Sequence, residues 1–202
     1  MSEGIIVRRG GVSGGWESDY LVIPGVADAY VSVRGGDTNY GSSEYLNVLG
    51  YSGYETRSFV KFQDISSLMG ETIARATLYV MYYSNDVSSR NQPHRIKRVT
   101  ENWVEDTITW NNQPTFYGSG TLDGGSYGLL ENDPDTTSTY CWRTLDITTL
   151  VQEWLDETYT NYGICIDHTY STTVAGGTWA SIRYRSKEYN TGSHIPHIII
   201  KL

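Results

Sequence analysis

Two stretches carry the spacing Gly-x-Ser-x-Gly, residues 11–15 (GVSGG) and 124–128 (GGSYG). That pattern activates a serine only where a strand turns sharply into a helix and lifts the hydroxyl beside an oxyanion hole. Here the first lies in a glycine-rich N-terminal stretch and the second in a long polar loop, so both read as accidents of composition. The four histidines, His94, His168, His194 and His197, show neither HExxH nor any Cys/His ligand spacing. A transition-metal centre therefore has no support. Carboxylates are plentiful, and glycoside cleavage needs only two of them across a sugar, so sequence spacing does not exclude a polysaccharide lyase or hydrolase. Glu101, Glu105 and Asp106 flank Trp103 in what reads as a structural turn. No catalytic residue is assigned, and a non-enzymatic domain is expected.

Hard-cation chemistry is better represented. Asp28, Asp37 and Asn39, with nearby loop carbonyls, supply the oxygen ligands that Ca²⁺ prefers, and a structural Ca²⁺ is the one cofactor expected. The competing reading is that Asp37 and Asn39 make Asx turns in a Gly-rich loop. Asp133, Asp135 and Thr137 resemble the start of a calcium loop but lack its Gly and terminal Glu. Cys141 and Cys165 fall in separate expected strands; a disulfide requires those strands to be neighbours, and two small buried thiols are the simpler reading.

These residues must be positioned by strands. The chain has 202 residues with 17 Tyr, 6 Trp and 21 Gly and only 19% charged residues, a composition suited to one β-rich domain with many turns. Period-two alternation marks strands at residues 29–33, 45–49, 57–62, 73–83, 94–99, 140–147, 162–167, 178–184 and 197–202. Residues 114–138 read as a long loop. One helix is expected at residues 148–155, with Thr148 as its cap and Leu150, Val151, Trp154 and Leu155 on one face. The fold class is all-β, a jelly-roll-like sandwich of eight or nine strands. Residues 1–26 are Gly-rich and read as an N-terminal docking arm, and residues 27–202 as the sandwich.

Four motifs resemble the DNRLRE-type domains, a group that includes alginate-binding carbohydrate-binding modules. They are ADAYV with NYG (residues 27–31 and 39–41), RSFVKF followed by ARATLYV (57–62 and 74–80), RVTENWVEDTITWNNQP (98–114), and LDITTLVQEWL, NYGICI and SKEYN in the C-terminal third. The similarity covers residues 27–202. It implies a jelly-roll-like sandwich, found as an accessory domain in secreted or surface proteins, with polysaccharide binding in some members. Trp103, Trp110 and Trp154 are read as core rather than as binding residues.

An anionic sugar calls for cations that pair with carboxylates and for aromatic faces that stack on the ring. The candidates on strand surfaces are Arg57, Lys61, Arg95, Lys97, Arg183, Arg185 and Lys187, with Tyr79 and Tyr83 as platforms. Alternation puts Arg57 with Lys61, and Arg95 with Lys97, on common faces; solvated strand surfaces remain the plain alternative. A net charge of −8 without a basic cluster speaks against nucleic acid. Neither a membrane-length apolar run nor a secretory signal is present in the sequence given. The start IIVRRGG also resembles the opening of some tailed-bacteriophage structural proteins. The leading expectation is thus a multimeric virion component, on head or tail, docked to other virion proteins through its arm and engaging glycans at the virion surface. A module of a secreted, extracellular polysaccharide-degrading enzyme is the alternative.

Overall fold

The computed structural model describes residues 6–8, 20–85, 94–118, 126–130, 141–168, 181–191 and 194–202. Its strands are β1 (Ile6–Arg8), β2 (Tyr20–Ser32), β3 (Tyr45–Leu49), β4 (Thr56–Phe62), β5 (Arg75–Asn85), β6 (His94–Arg98), β7 (Ser126–Leu130), β8 (Trp142–Asp146), β9 (Ile164–His168), β10 (Ser181–Arg185) and β11 (His197–Lys201), with one helix, α1 (Thr148–Leu155). All pairings are antiparallel. The chain folds as an all-β sandwich.

The back layer runs β7-β6-β9-β4-β2, and the front layer runs β1-β2-β11-β5-β8. Beyond β11, the second half of β5 pairs with β10, which pairs with β3 and extends the front layer. Strand β2 serves both layers. Tyr20 to Pro24 pair with β11, and from Gly25 onward the strand pairs with β4, with a register shift between Gly25 and Ala27. Gly25 permits the change of layer because its N–H meets the Pro196 carbonyl at 2.8 Å, and a Cβ there would stand 3.0 Å from that oxygen. The sandwich therefore reaches into the stretch read as an arm: β1 pairs with β2, β2 starts at Tyr20, and Leu21 and Ile23 belong to the core.

Alternation puts Val60, Ile96, Ile164 and Ile166 from the back layer against Leu46, Leu78, Val80, Ile182 and Ile198 from the front. Helix α1 closes one end of this core with Leu150, Val151, Trp154 and Leu155. Thr148 is not its cap. The Thr148 N–H and hydroxyl both go to Asp146 Oδ1, at 3.0 and 2.6 Å, while its oxygen accepts the Ala76 N–H at 2.9 Å and pins the helix to β5.

A second apolar cluster lies on the outer side of the back layer. Residues 99–118 fold across it, burying Trp103, Ile108 and Phe116 against Ala29, Val31, Phe59 and Cys165. Cys141 and Cys165 form no disulfide with each other, and Cys165 is fully buried. Strand β7 occupies part of the stretch expected to be loop. Ser126 of the second Gly-x-Ser-x-Gly pattern is therefore in a strand, with its hydroxyl donating to the Gly128 carbonyl at 2.8 Å. The first such pattern, the triplet Asp133, Asp135 and Thr137, and most of residues 1–19 lie outside the described residues. Among the described residues no helix is long and apolar enough to cross a membrane.

Candidate functional site

The outer face of the back layer has its cations engaged from within. Arg57, Lys61, Arg95 and Lys97 do share that side, as alternation requires, but the 99–118 segment lies over it. Lys97 is 2% exposed and meets Asp167 Oδ2 at 3.1 Å. It is not a surface glycan contact; it is the counter-charge of a buried carboxylate. Arg57 reaches the other oxygen of Asp167 at 3.4 Å, donates to Gln113 Oε1 at 3.1 Å, and stacks 4.5 Å from the Trp110 ring centre. Lys61 donates to Asn102 Oδ1 at 2.8 Å and to the Trp103 carbonyl at 2.6 Å. These three side chains hold the covering segment down, so the Thr-Trp-Asn-Asn-Gln-Pro motif serves architecture. Arg95 is half-buried on the same side.

The outer face of the front layer is different. Five tyrosine rings follow one another from the back-layer half of β2 onto its β3–β10 end: Tyr40 to Tyr30 at 4.2 Å, Tyr30 to Tyr45 at 5.9 Å, Tyr45 to Tyr83 at 6.4 Å, and Tyr83 to Tyr189 at 5.5 Å. The first three contacts are stacked, with interplanar angles of 18°, 15° and 5°. Between β5 and β10 the pairing jumps from Ser84↔Arg183 to Tyr82↔Tyr184, so Tyr83 is the inserted residue of a bulge. Bulges re-aim side chains, and this one adds Tyr83 to the row. The Arg183 guanidinium sits 4.7 Å from the Tyr45 ring centre and that of Arg185 4.1 Å from the Tyr189 ring centre.

Arg185 continues the surface. It contacts His194 Nδ1 at 2.9 Å, and His194 lies 5.8 Å from Trp142. Trp142 packs edge-on against His197 at 5.0 Å, and Tyr79 stacks flat on His197 at 5.0 Å and 2°. Cross-strand register explains the last pair, because His197 is the β11 partner of Tyr79. Burial holds His197 below the ordinary imidazole range, a shift that its contact with the Ile195 carbonyl opposes. Beyond Tyr79 the face hollows into an open groove of about 370 Å³ lined by Tyr20, Arg75, Thr77, Tyr79, Ile199 and Lys201. Tyr79, Tyr83 and Arg183 are thus brought onto one accessible face, with Arg185 mostly buried beneath its rings. Sequence reasoning missed Tyr30, Tyr40, Tyr45, Trp142, Tyr189 and His197. Tyr45 carried a legible signal, since it alternates with core Leu46 and Val48; the others depend on long-range pairing.

Asp28, Asp37 and Asn39 do not form one site. Asp37 accepts the Asn111 amide at 2.8 Å, tying two loops together. Asn39 accepts the Gly41 N–H at 3.1 Å, the Asx turn that was the competing reading, and donates to the Glu105 and Ile108 carbonyls at 2.6 and 2.8 Å. Asp28 instead lies with Glu105 and Glu188, each with a carboxylate oxygen within 4.8 Å of the others. Lys187 is not a free surface cation either: its ammonium meets Glu105 Oε2 at 3.1 Å and contacts Glu188. Burial pushes the Asp28 carboxyl well above the usual carboxylate range; the Lys187 N–H opposes this, and the neighbouring Glu188 and Glu105 charges add to it.

Comparison with known families gives one result that covers the sandwich. The family model for carbohydrate-binding module family 96 matches residues 20–200, beginning where β2 begins. No curated protein matches the chain.

Proposed function

Because the chain belongs to carbohydrate-binding module family 96, we propose that it is a non-catalytic module that grips a polysaccharide on the outer face of its front layer. The observation that carries this reading is the row of rings from Tyr40 to Tyr189, flanked by Arg183 and continued through Arg185 to His194, Trp142, His197 and Tyr79. Flat, partly exposed rings held by their neighbours offer apolar faces to sugar rings with little side-chain entropy left to lose. The opposite face of the sandwich is covered by its own 99–118 segment. Arg183 beside Tyr45, and Arg75 and Lys201 in the adjoining groove, place cations on the same face of a chain whose net charge is −8. That arrangement selects a sugar bearing carboxylates, which a guanidinium engages by charge-assisted hydrogen bonds.

Calorimetric titration with oligogalacturonate, alginate oligosaccharides and cello-oligosaccharide tests the reading. The uronate ligands are expected to bind and the neutral glucan to bind at least tenfold more weakly. Arg183→Ala should lose about 10- to 100-fold in uronate affinity, the worth of a hydrogen bond to a charged group. Equal binding of neutral and acidic ligands would remove the uronate assignment, and the absence of binding to any polysaccharide would remove the site.

For the molecule that displays this face, our reading is a bacteriophage particle, supported by the N-terminal sequence IIVRRGG. Many copies on one particle multiply weak sugar contacts through avidity. A module within a polysaccharide-degrading enzyme fits the family match equally well. Sedimentation of the native source material separates the two: the virion reading expects the chain in a large particle that loses it when residues 1–19 are deleted, and recovery only as part of a soluble glycanase contradicts it.

A further inference from the structure

Asp28 is 1% exposed, and its Oδ1 is buried without a hydrogen-bond partner. Its Oδ2 accepts the Lys187 backbone N–H at 2.8 Å, and its own N–H goes to Glu105 Oε1 at 2.7 Å. Glu188 repeats the pattern: Oε1 contacts the Lys187 ammonium, and Oε2 is buried and unpartnered. Two of the three clustered carboxylates, Glu105 and Glu188, thus contact one ammonium, while Asp28 meets only the Lys187 backbone, which leaves a local charge of about −2 when all are ionised. An ion stripped of water is strongly destabilising unless it is paired, and neither Asp28 Oδ1 nor Glu188 Oε2 has a hydrogen-bond partner among the described residues.

The surroundings hold these groups in place. Asn39 fixes the Glu105 carbonyl, and Gly41 approaches that carbonyl so closely that a Cβ would stand 2.5 Å from its oxygen. Ser186, fully buried, donates to the Ser43 carbonyl at 2.6 Å and accepts the Glu188 N–H at 3.2 Å. The donors are all oxygens from three segments distant in sequence. No nitrogen or sulfur ligand joins them among the described residues, which favours a hard cation over zinc or copper. A 4.8 Å limit on the oxygen separations is compatible with two ligands each about 2.4 Å from one Ca²⁺.

We propose that Asp28, Glu105 and Glu188 form a Ca²⁺ site that clamps β2, the 99–118 segment and the turn after β10, with the Lys187 ammonium as its built-in competitor. In the ion-free protein the ammonium neutralises part of the cluster. Ca²⁺ displaces it toward solvent and takes up the oxygens that Lys187 leaves unpaired. The site thus differs from a lysine salt-bridge cluster in one measurable way, because removing the lysine strengthens it.

The test is calorimetric titration of CaCl₂ into the full chain after EDTA treatment, with thermal melts alongside and no sugar present. Wild type should bind one Ca²⁺ and melt higher in it by several degrees. Glu188→Gln, a change on a half-buried turn, should weaken binding about tenfold with the ion-free melt near wild type; Asp28→Asn should abolish it, and where that variant does not fold Glu188→Gln carries the point. Lys187→Met should bind about tenfold more tightly, and Mg²⁺ should bind more weakly than Ca²⁺ throughout, as its stricter geometry requires. The proposal is overturned if neither wild type nor Lys187→Met shows heat or a melting shift up to about 10 mM Ca²⁺, beyond the weakest range of dedicated sites. Binding that survives both carboxylate changes, or that falls in Lys187→Met, also overturns it.

Discussion

Lys97 and Asp167 show how a residue's type can suggest one role while its surroundings give it another. A lysine alternating with core residues on a strand looks like a surface cation, yet Lys97 is buried and holds Asp167 from one side while Arg57 holds it from the other. Removing one partner of a buried pair strands the other charge, at about 3–5 kcal/mol. Lys97→Met is expected to fall at the lower end of that range because Arg57 remains, and urea unfolding checks it; a loss under about 1 kcal/mol would contradict the assignment. A second residue-scale consequence concerns acid. Burial lowers His94 to about 3, its neighbour His168 pushes the same way and the Asp167 carboxylate opposes. The unfolded chain then takes up this proton near the ordinary value of 6.5 while the folded chain resists it. Stability from His94 is therefore present in full above about pH 6.5 and is lost as pH falls from there toward 3. His94→Gln, which keeps a polar group near the Tyr184 hydroxyl 2.7 Å away, should flatten that decline in melting temperature. An unchanged slope between pH 6.5 and pH 4 would show that His94 does not drive it.

At the scale of elements, the strands were legible where alternation was strong. Residues 45–49 and 148–155 were placed to the residue because Leu46 and Val48, and Leu150, Val151, Trp154 and Leu155, follow the periods of strand and helix. Only residues 29–32 of strand β2 fall within the strand expected at 29–33. Its first nine residues contain Pro24 and Gly25, which break the local pattern, and their role in changing layers depends on partners far along the chain. Strand β7 was hidden in a stretch rich in Gly, Ser and Thr. Its pairing with β6 comes from tertiary structure rather than propensity. The Asn-Tyr-Gly turn before β9 is local chemistry with a sharp consequence. Gly163 has φ +88°, and a Cβ there would lie 2.1 Å from the Val60 carbonyl oxygen. Gly163→Ala should therefore destabilise the fold by more than about 3 kcal/mol, combining backbone strain with a clash against a core strand. A melting temperature within a few degrees of wild type would contradict this.

Over the whole molecule, the two sandwich faces have divided their roles. The back face spends its arginine and lysines on holding down a covering segment, while the front face keeps its rings in the open. Sequence alone supplied the residue types for a sugar site but could not separate the faces. Arg57, Lys61 and Arg183 look alike until the 99–118 segment is seen lying over the first two. For a site that relies on exposed cations, raising salt from about 0.05 to about 0.5 M should weaken uronate binding by shortening the screening length; salt-independent binding would shift the weight to the aromatic rings. The central claim, that polysaccharide binds the front face, is tested most directly by calorimetric titration of a uronate oligosaccharide into wild type, Tyr45→Ala/Tyr83→Ala, and Val104→Ala. Val104 is 57% exposed on the segment covering the back face. Wild type and Val104→Ala should bind alike and the double tyrosine variant at least tenfold more weakly; a tyrosine variant that binds like wild type, or a Val104→Ala variant that loses binding, would place the site elsewhere.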